Sequence, residues 1–218
     1  MTIGSLAPGP GRLRLGVGVG GEFPEEFEAA GVDLKTRGRR LDEMLEILNP
    51  LLMGKPVSYH SPLLSVETSG LLPALPEAPR LAVGGRSDAA LTRAARYGDQ
   101  WMGMWYDPDA MLQRSRRLQE MTKELGRPAP SVGMVLGINI NDDINQARDE
   151  AAGSLQGQYR LPLRVVEKWT ALGPAEEVAP MIISYREAGV DEFVLAPAAP
   201  NQLEQYKRLE KVRRLVEG

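Results

Sequence analysis

Residues 81–101 read LAVGGRSDAALTRAARYGDQW (Leu81–Trp101). An apolar run, Arg80–Val83, ends in the pair Gly84-Gly85. Ser87 then stands where a helix N-cap belongs, because its hydroxyl can accept from a first-turn N–H that has no intrahelical partner. The spacing predicts a helix over Asp88–Tyr97, stopped by Gly98, and a second apolar strand over Gln100–Met104. A helix between two short strands carries the chain back to the end where it started, so the strands pair in parallel.

The same rhythm extends in both directions. Upstream, Arg12–Gly20 (RLRLGVGVG) reads as a strand whose glycines favour close backbone approach. Glu22–Gly31 reads as a loop or short helix opening at Pro24. An amphipathic helix follows over Thr36–Met53, with Leu41, Met44, Leu45, Leu48 and Leu52 on one face and Arg39, Arg40 and Glu43 elsewhere. Pro50 is expected to kink its last turn, and Gly54 to cap it. Residues 55–80 are proline-rich, with β-like pieces at Val57–His60 and Leu63–Glu67, and read as an excursion over the main fold.

Downstream, the expected elements are a helix over Pro108–Leu125, a strand over Val132–Ile140, a helix around Asp143–Ala152 and a helical stretch at Leu161–Trp169. A helix follows from Gly173-Pro174 to Gly189, with Pro174 at its first position and Pro180 as a bend or a later start. The last strand is Glu192–Leu195 and the closing helix Gln202–Val216. About five parallel strands with surrounding helices make an α/β fold. Either the sheet is open and doubly wound, or it is part of a (β/α)8 barrel, which takes about 250 residues and eight strands in full. Residues 1–218 are expected to form a single domain.

Composition narrows the chemistry. The chain has 218 residues, 26 Lys+Arg against 29 Asp+Glu and a net charge of −3, so it has no basic footprint for nucleic acid. No apolar run approaches the roughly 20 residues needed to span a bilayer. The first residues show no charged and apolar leader, so a cytoplasmic protein is expected. There is no cysteine, which excludes disulfides, thiolate catalysis and cysteine metal sites. His60 is the single histidine, which excludes multi-histidine metal centres. An enzyme so equipped points to an organic cofactor for the hard chemistry.

In parallel α/β folds ligands bind beyond the carboxyl ends of the strands. Gly84-Gly85-Arg86-Ser87 could receive a phosphate: two glycines bare the backbone N–H groups, a helix begins, and Arg86 adds charge. It could equally be a tight capped turn that binds nothing. Gly16, Gly18 and Gly21 formally spell G-x-G-x-x-G, but a dinucleotide site needs its helix to begin at the third glycine, and the strong helix here starts some 15 residues later. Trp101, Trp105 and Tyr106 are either core or walls for a flat ring. Asp142 and Asp143 suit a helix cap more than a metal. Glu22 suits a solvated loop more than a substrate-facing carboxylate, and His60 a surface or packing role.

Four stretches in order resemble the luciferase-like monooxygenase family of flavin- and F420-dependent oxidoreductases: Gly11–Phe23, Glu26–His60, Leu81–Trp101 and Ala171–Leu195. The resemblance implies a (β/α)8 barrel binding FMN or coenzyme F420, and a flavin- or F420-dependent, monooxygenase-like oxidoreductase acting on a small organic substrate. It matches Gly84, Gly85 and Ser87 to the family's phosphate-contacting turn and Gly18 and Gly20 to glycines near the cofactor, and makes Asp99 and Trp101 mostly structural. In such an enzyme Arg86 would join the phosphate contacts, and Gly21 would join Gly18 and Gly20 in letting the ring system approach. Family members carry about three βα units before the segment resembling Gly11–Phe23. Without them the sheet edges need covering by a second copy or a partner protein, and Met1–Pro10 are too few to replace three strands. The alternative is a non-catalytic flavin- or phosphate-binding scaffold subunit.

Overall fold

The structure is a computed structural model and describes residues 12–21, 23–74 and 77–218. Glu22 and Met1–Pro10 lie outside the described residues. The chain divides into two compact units, Met1–Trp101 with Met121–Pro130, and Met102–Glu120 with Ser131–Gly218.

The first unit opens with strand β1, Arg14–Val17, shorter at both ends than the alternation suggests. A six-residue helix α1, Pro24–Ala29, has Pro24 at its first position. Helix α2, Arg37–Leu52, follows a 3-10 turn, runs through Pro50, and hands on to Gly54 at φ +69°. Its apolar stripe does what the 3.6 period predicts. Leu41, Leu45 and Leu52 cluster with Leu81, and Leu15, Val17, Val19 and Leu48 pack against them. Met44, expected on that face, is instead exposed, and Ile47 is buried.

The excursion forms an antiparallel hairpin of β2, Val57–His60, and β3, Ser65–Thr68, with His60 opposite Ser65. Strand β4, Arg80–Gly84, pairs in parallel with β1, Val83 beside Val17. Helix α3, Asp88–Tyr97, has the expected bounds, with Ser87 as N-cap and Gly98 as C-cap. Strand β5, Gln100–Met104, lies next to β4. Arg93 of α3 is nearly buried and bonds Asp42 of α2 at 2.6 and 3.1 Å and the Gly38 carbonyl at 3.0 Å, so the two helices are locked.

Helix α4, Pro108–Glu124, and strand β5 both cross from one unit's residues to the other's. In the second unit the ten-residue strand β6, Ser131–Ile140, carries the packing. Helix α5 spans Ile144–Tyr159, well past Ala152: Gly153 and Gly157 each cost about 1 kcal/mol against alanine but do not break a helix. The Leu161–Trp169 stretch is a short helix α6, Leu163–Val166, and a 3-10 turn.

Strand β7, Thr170–Gly173, pairs with β6 over Gly137–Ile140 and has no counterpart in the sequence reading. Four residues including an alanine and a glycine carry little strand signal, and the strand exists because β6 offers a ladder. A Cβ at Gly137 would come within 3.2 Å of Thr170, so the missing side chain is what lets β7 approach. Helix α7, Ala175–Glu187, starts with Pro174 as its N-cap, one position earlier than expected for the proline, and contains Pro180. Strand β8, Glu192–Pro197, pairs in parallel with β6, and helix α8, Gln202–Glu217, closes the chain.

One device sets the parallel register in both units. Asp99, just before β5, takes the Leu81 N–H on its carboxylate at 2.8 Å while its own N–H bonds the Leu81 carbonyl at 2.8 Å. Asp191, just before β8, does the same to Val132 of β6, at 2.7 and 2.8 Å. Tyr185 of α7 is fully buried and its hydroxyl donates to the Tyr106 carbonyl at 2.6 Å. Burial, with the Asp107 carboxylate nearby, pushes this phenol up to about 12.

Two outcomes follow. Asp191→Ala, by orphaning a buried N–H, is expected to lower unfolding free energy by about 1–3 kcal/mol in urea, while Asp191→Asn, which keeps an acceptor, loses less. The raised phenol pKa means the neutral form is preferred in the folded state. Its contribution is therefore full below pH 10, the ordinary phenol value, and lost as pH climbs toward 12. Urea midpoints across that range should fall more steeply in the wild type than in Tyr185→Phe.

Candidate functional site

Parallel pairing brings the carboxyl ends of β1 and β4 out side by side; β4 ends in Gly84, and Gly18 follows β1 directly. A Cβ built on Gly16 meets nothing within 4 Å, one on Gly18 meets only the Gly84 carbonyl at 3.8 Å, and one on Gly84 only the Val17 carbonyl at 3.7 Å. The space in front of these three glycines is therefore open, a ledge of bare backbone that side chains would fill. Gly20 and Gly85 are glycine for another reason. They sit at φ +87° and +139°, and a Cβ would strike the Phe27 ring and the Ala90 methyl, each at 2.6 Å.

Beyond Gly85 the chain enters α3. Ser87 is extended and its Oγ accepts from the Ala90 N–H at 3.2 Å. Arg86, Ser87, Asp88 and Ala89 are exposed, so the first turn of α3 faces solvent. Asp88 puts one carboxylate in that turn. Trp101 is 1% exposed, and its Nε1 donates to the Gly85 carbonyl at 3.1 Å. It braces the turn from the core side and is not the pocket wall that an aromatic at this strand suggests. Asp99 is structural, as described above.

Gly18, Gly20 and Gly21 also line a cleft of about 320 Å³ with Phe27 of α1 and Arg37, Arg40 and Met44 of α2. Arg37 donates to the Gly21 carbonyl at 2.8 Å, and its guanidinium lies 5.4 Å from the Phe27 ring centre. Arg40 donates to the Leu63 carbonyl of the excursion at 2.9 Å. Among the described residues, Glu26 is the carboxylate in the lining. Gly84–Ser87 do not line this cleft; Gly18, which does, stands one residue past the pairing of Val17 with Val83.

The sequence reading missed Phe27 and Arg37. A signal was present: α2 carries no acid in its first turn and begins Arg37-Gly-Arg-Arg40, cations where the helix dipole favours anions. The six-residue α1 beginning at Pro24, not at Gly21, leaves the G-x-G-x-x-G spacing without the helix a dinucleotide site requires.

The remaining strand-end candidates do other work. Trp105 has φ +58° and meets Tyr159 edge-on at 5.4 Å in an apolar cluster. In the second unit, buried Asn139 bonds Glu150 at 2.9 Å and the Ala198 carbonyl at 3.0 Å, and buried Gln205 accepts from the Ile140 N–H at 2.7 Å. This network ties α8 and the residues after β8 to the end of β6. Asp143 caps α5, accepting from Asn145 at 2.9 Å, and Asp142 lines a separate cleft of about 240 Å³ with Arg208 and Lys211. His60 is an exposed hairpin residue between Ser65 at 2.9 Å and Glu67 at 3.3 Å. Among the described residues no three His, Cys, Asp or Glu could hold a metal, and no helix is long and apolar enough to cross a membrane.

Comparison with known proteins places this geometry. Residues 8–161 match the family model described as luciferase-like monooxygenase. An uncharacterized protein of Mycobacterium tuberculosis is 33% identical over 162 residues, 73% of this chain and 56% of that protein, and a Mycobacterium bovis counterpart matches equally. The chain thus spans little more than half the length of these relatives. Among solved structures, an F420-dependent secondary alcohol dehydrogenase in complex with an F420-acetone adduct superposes with a TM-score of 0.81 at 19% identity, over 95% of this chain and 70% of that one. A monooxygenase from Streptomyces bottropensis gives 0.71 at 20%, over 94% and 67%. These likenesses establish the α/β fold of parallel strands with surrounding helices that the resemblance implied. By its family-model match over residues 8–161, the chain belongs to the luciferase-like monooxygenase family.

Proposed function

We propose that this chain binds a flavin-type cofactor, FMN or coenzyme F420, on its first unit and serves a monooxygenase-like oxidoreductase reaction on a small organic substrate. One observation carries the reading: the bare glycine ledge at the ends of β1 and β4, open in front of Gly16, Gly18 and Gly84 and leading into the exposed first turn of α3. A phosphate fits the N–H groups of that turn, with Gly84 and Gly85 allowing close backbone approach and Arg86 supplying a charge-assisted contact. Ser87 presents the turn by capping the helix. Gly18, Gly20 and Gly21 leave room for the ring system along β1. The cofactor would supply two-electron redox chemistry, and the chain's own residues bind and orient it. The family match and the F420-dependent dehydrogenase fold support this reading.

A second reading rests on the sheet edges. Among the described residues β1 pairs only with β4 and β8 only with β6, and Val194 of β8 is 49% exposed. Unpaired ladder groups of this kind call for a covering strand. A chain that keeps the cofactor turn and completes its sheet with a second copy or a partner protein would be a binding or scaffold subunit. Turnover separates the two: both bind cofactor, and one oxidises substrate.

Titration with FMN and with F420 is expected to raise the melting temperature with one of them, by the equivalent of about 2.7 kcal/mol at a hundredfold excess over Kd. Arg86→Ala should weaken that binding by roughly tenfold, the loss of one charge-assisted contact, with little effect on the melting temperature of the free protein. No response to either ligand overturns the cofactor reading. Light scattering gives the copy number, and a strict monomer argues against self-completion.

A further inference from the structure

We infer that the half-buried aromatic cluster of the second unit binds a small uncharged molecule with an apolar body and one hydrogen-bond acceptor, received by the indole N–H of Trp169. This goes beyond the cofactor reading and does not depend on it. Among the described residues, Trp169 Nε1 is the one buried side-chain nitrogen or oxygen without a hydrogen-bond partner. Other buried donors are met: Trp101 Nε1 by the Gly85 carbonyl at 3.1 Å, and the Tyr185 hydroxyl by the Tyr106 carbonyl at 2.6 Å. A shielded donor left unmet is costly, and folded proteins keep few of them. An indole nitrogen donates and does not accept, so what Trp169 lacks is an acceptor.

The surroundings supply the apolar part of the site. Trp105, Tyr159, Leu161, Leu163 and Leu172 pack in one cluster with Trp169, and all six are half-buried. Large apolar side chains left partly open beside a single polar group are the usual composition of a small-molecule site. Backbone strain gathers at the same place. Trp105 at φ +58° and Arg160 at φ +54° are the non-glycine residues with positive φ among those described. One is a member of the edge-on Trp105–Tyr159 pair, and the other follows Tyr159 directly. A left-handed backbone is unfavourable for a bulky side chain, and such outliers collect at ligand sites. Strained, half-exposed side chains are displaced at least cost, so a ligand reaches the shielded N–H by turning them aside. The acceptor is neutral on energetic grounds: one N–H does not replace the hydration of a carboxylate, whereas a carbonyl oxygen is met by one bond. The exposed Lys168 ammonium lies over the face of the Trp169 ring, 4.4 Å from its centre, while the N–H lies in the ring plane. Glu167, the neighbouring acid in the chain, is held by Arg148 at 2.9 Å.

The test titrates isotope-labelled protein with acetophenone, toluene and benzoate and follows the indole N–H signals of its three tryptophans by heteronuclear NMR. Trp105→Phe and Trp169→Phe assign the signals. Acetophenone should bind saturably and move the Trp169 signal downfield. Toluene, read from the Trp105 signal, should bind without that displacement, and benzoate should bind roughly tenfold more weakly than acetophenone. Trp169→Phe should weaken acetophenone by about fivefold and leave the Kd of toluene unchanged, which also shows that the cluster is intact. Failure of acetophenone to bind, binding that leaves the Trp169 signal in place, or benzoate binding as tightly as acetophenone overturns the site. So does an equal loss for toluene and acetophenone in Trp169→Phe. The wild-type titration decides the matter by itself should that variant not fold, and none of these results bears on FMN or F420 binding by the first unit.

Discussion

The structure depends on how parallel strands are started. Parallel ladders slant and are slightly weaker per residue than antiparallel ones, so their first pairing needs a fixed point. Asp99 and Asp191 provide it. Each stands one residue before its strand and closes a two-bond ring with the neighbouring strand, on Leu81 and on Val132. Leu81 is 1% exposed, so an unmet N–H there would be costly, and the register has nowhere to slip. With the amino ends pinned, β4 and β5 begin in step, and the pairing of Val17 with Val83 brings the carboxyl ends of β1 and β4 out together.

That juxtaposition makes the candidate site a matter of backbone. Where side chains would stand, Gly16, Gly18 and Gly84 leave space, and where the chain must turn left-handed, Gly20 and Gly85 permit it. Trp101 fills the volume beneath the turn and satisfies the Gly85 carbonyl, so the turn is rigid from the core side and bare toward solvent. The neighbouring cleft adds charge, through Arg37 and Arg40 in its lining. Arg37 and Arg40 stand in the first turn of a helix with no acid there, a placement that helix electrostatics disfavours.

Much of this was legible residue by residue. The bounds of α3 and β5, the Ser87 cap and the Gly98 stop follow from groups within a few positions of one another, and capping chemistry is local. The glycine-rich turns at the strand ends were visible in the sequence for the same reason, as short-range composition. Three features were not. Strand β7 has almost no propensity of its own and is induced by β6 opposite Gly137. The burial of Trp101, as against a place in a pocket wall, turns on a carbonyl 16 positions away. Arg37 joins Gly21 across a similar gap, and nothing in its helical phase announces that partner.

From the order of residues alone came the alternation of strands and helices, the parallel pairing it requires, the exclusion of cysteine and multi-histidine chemistry, and the two glycine-rich turns. All are consequences of short-range sterics, capping and composition. Tertiary structure decided the rest: which glycines face open space, which aromatic braces the turn, and which arginines stand beside the ledge. Those outcomes depend on residues distant in the chain being brought within a few ångströms, and the free energy that does so is shared among many contacts that no local pattern records.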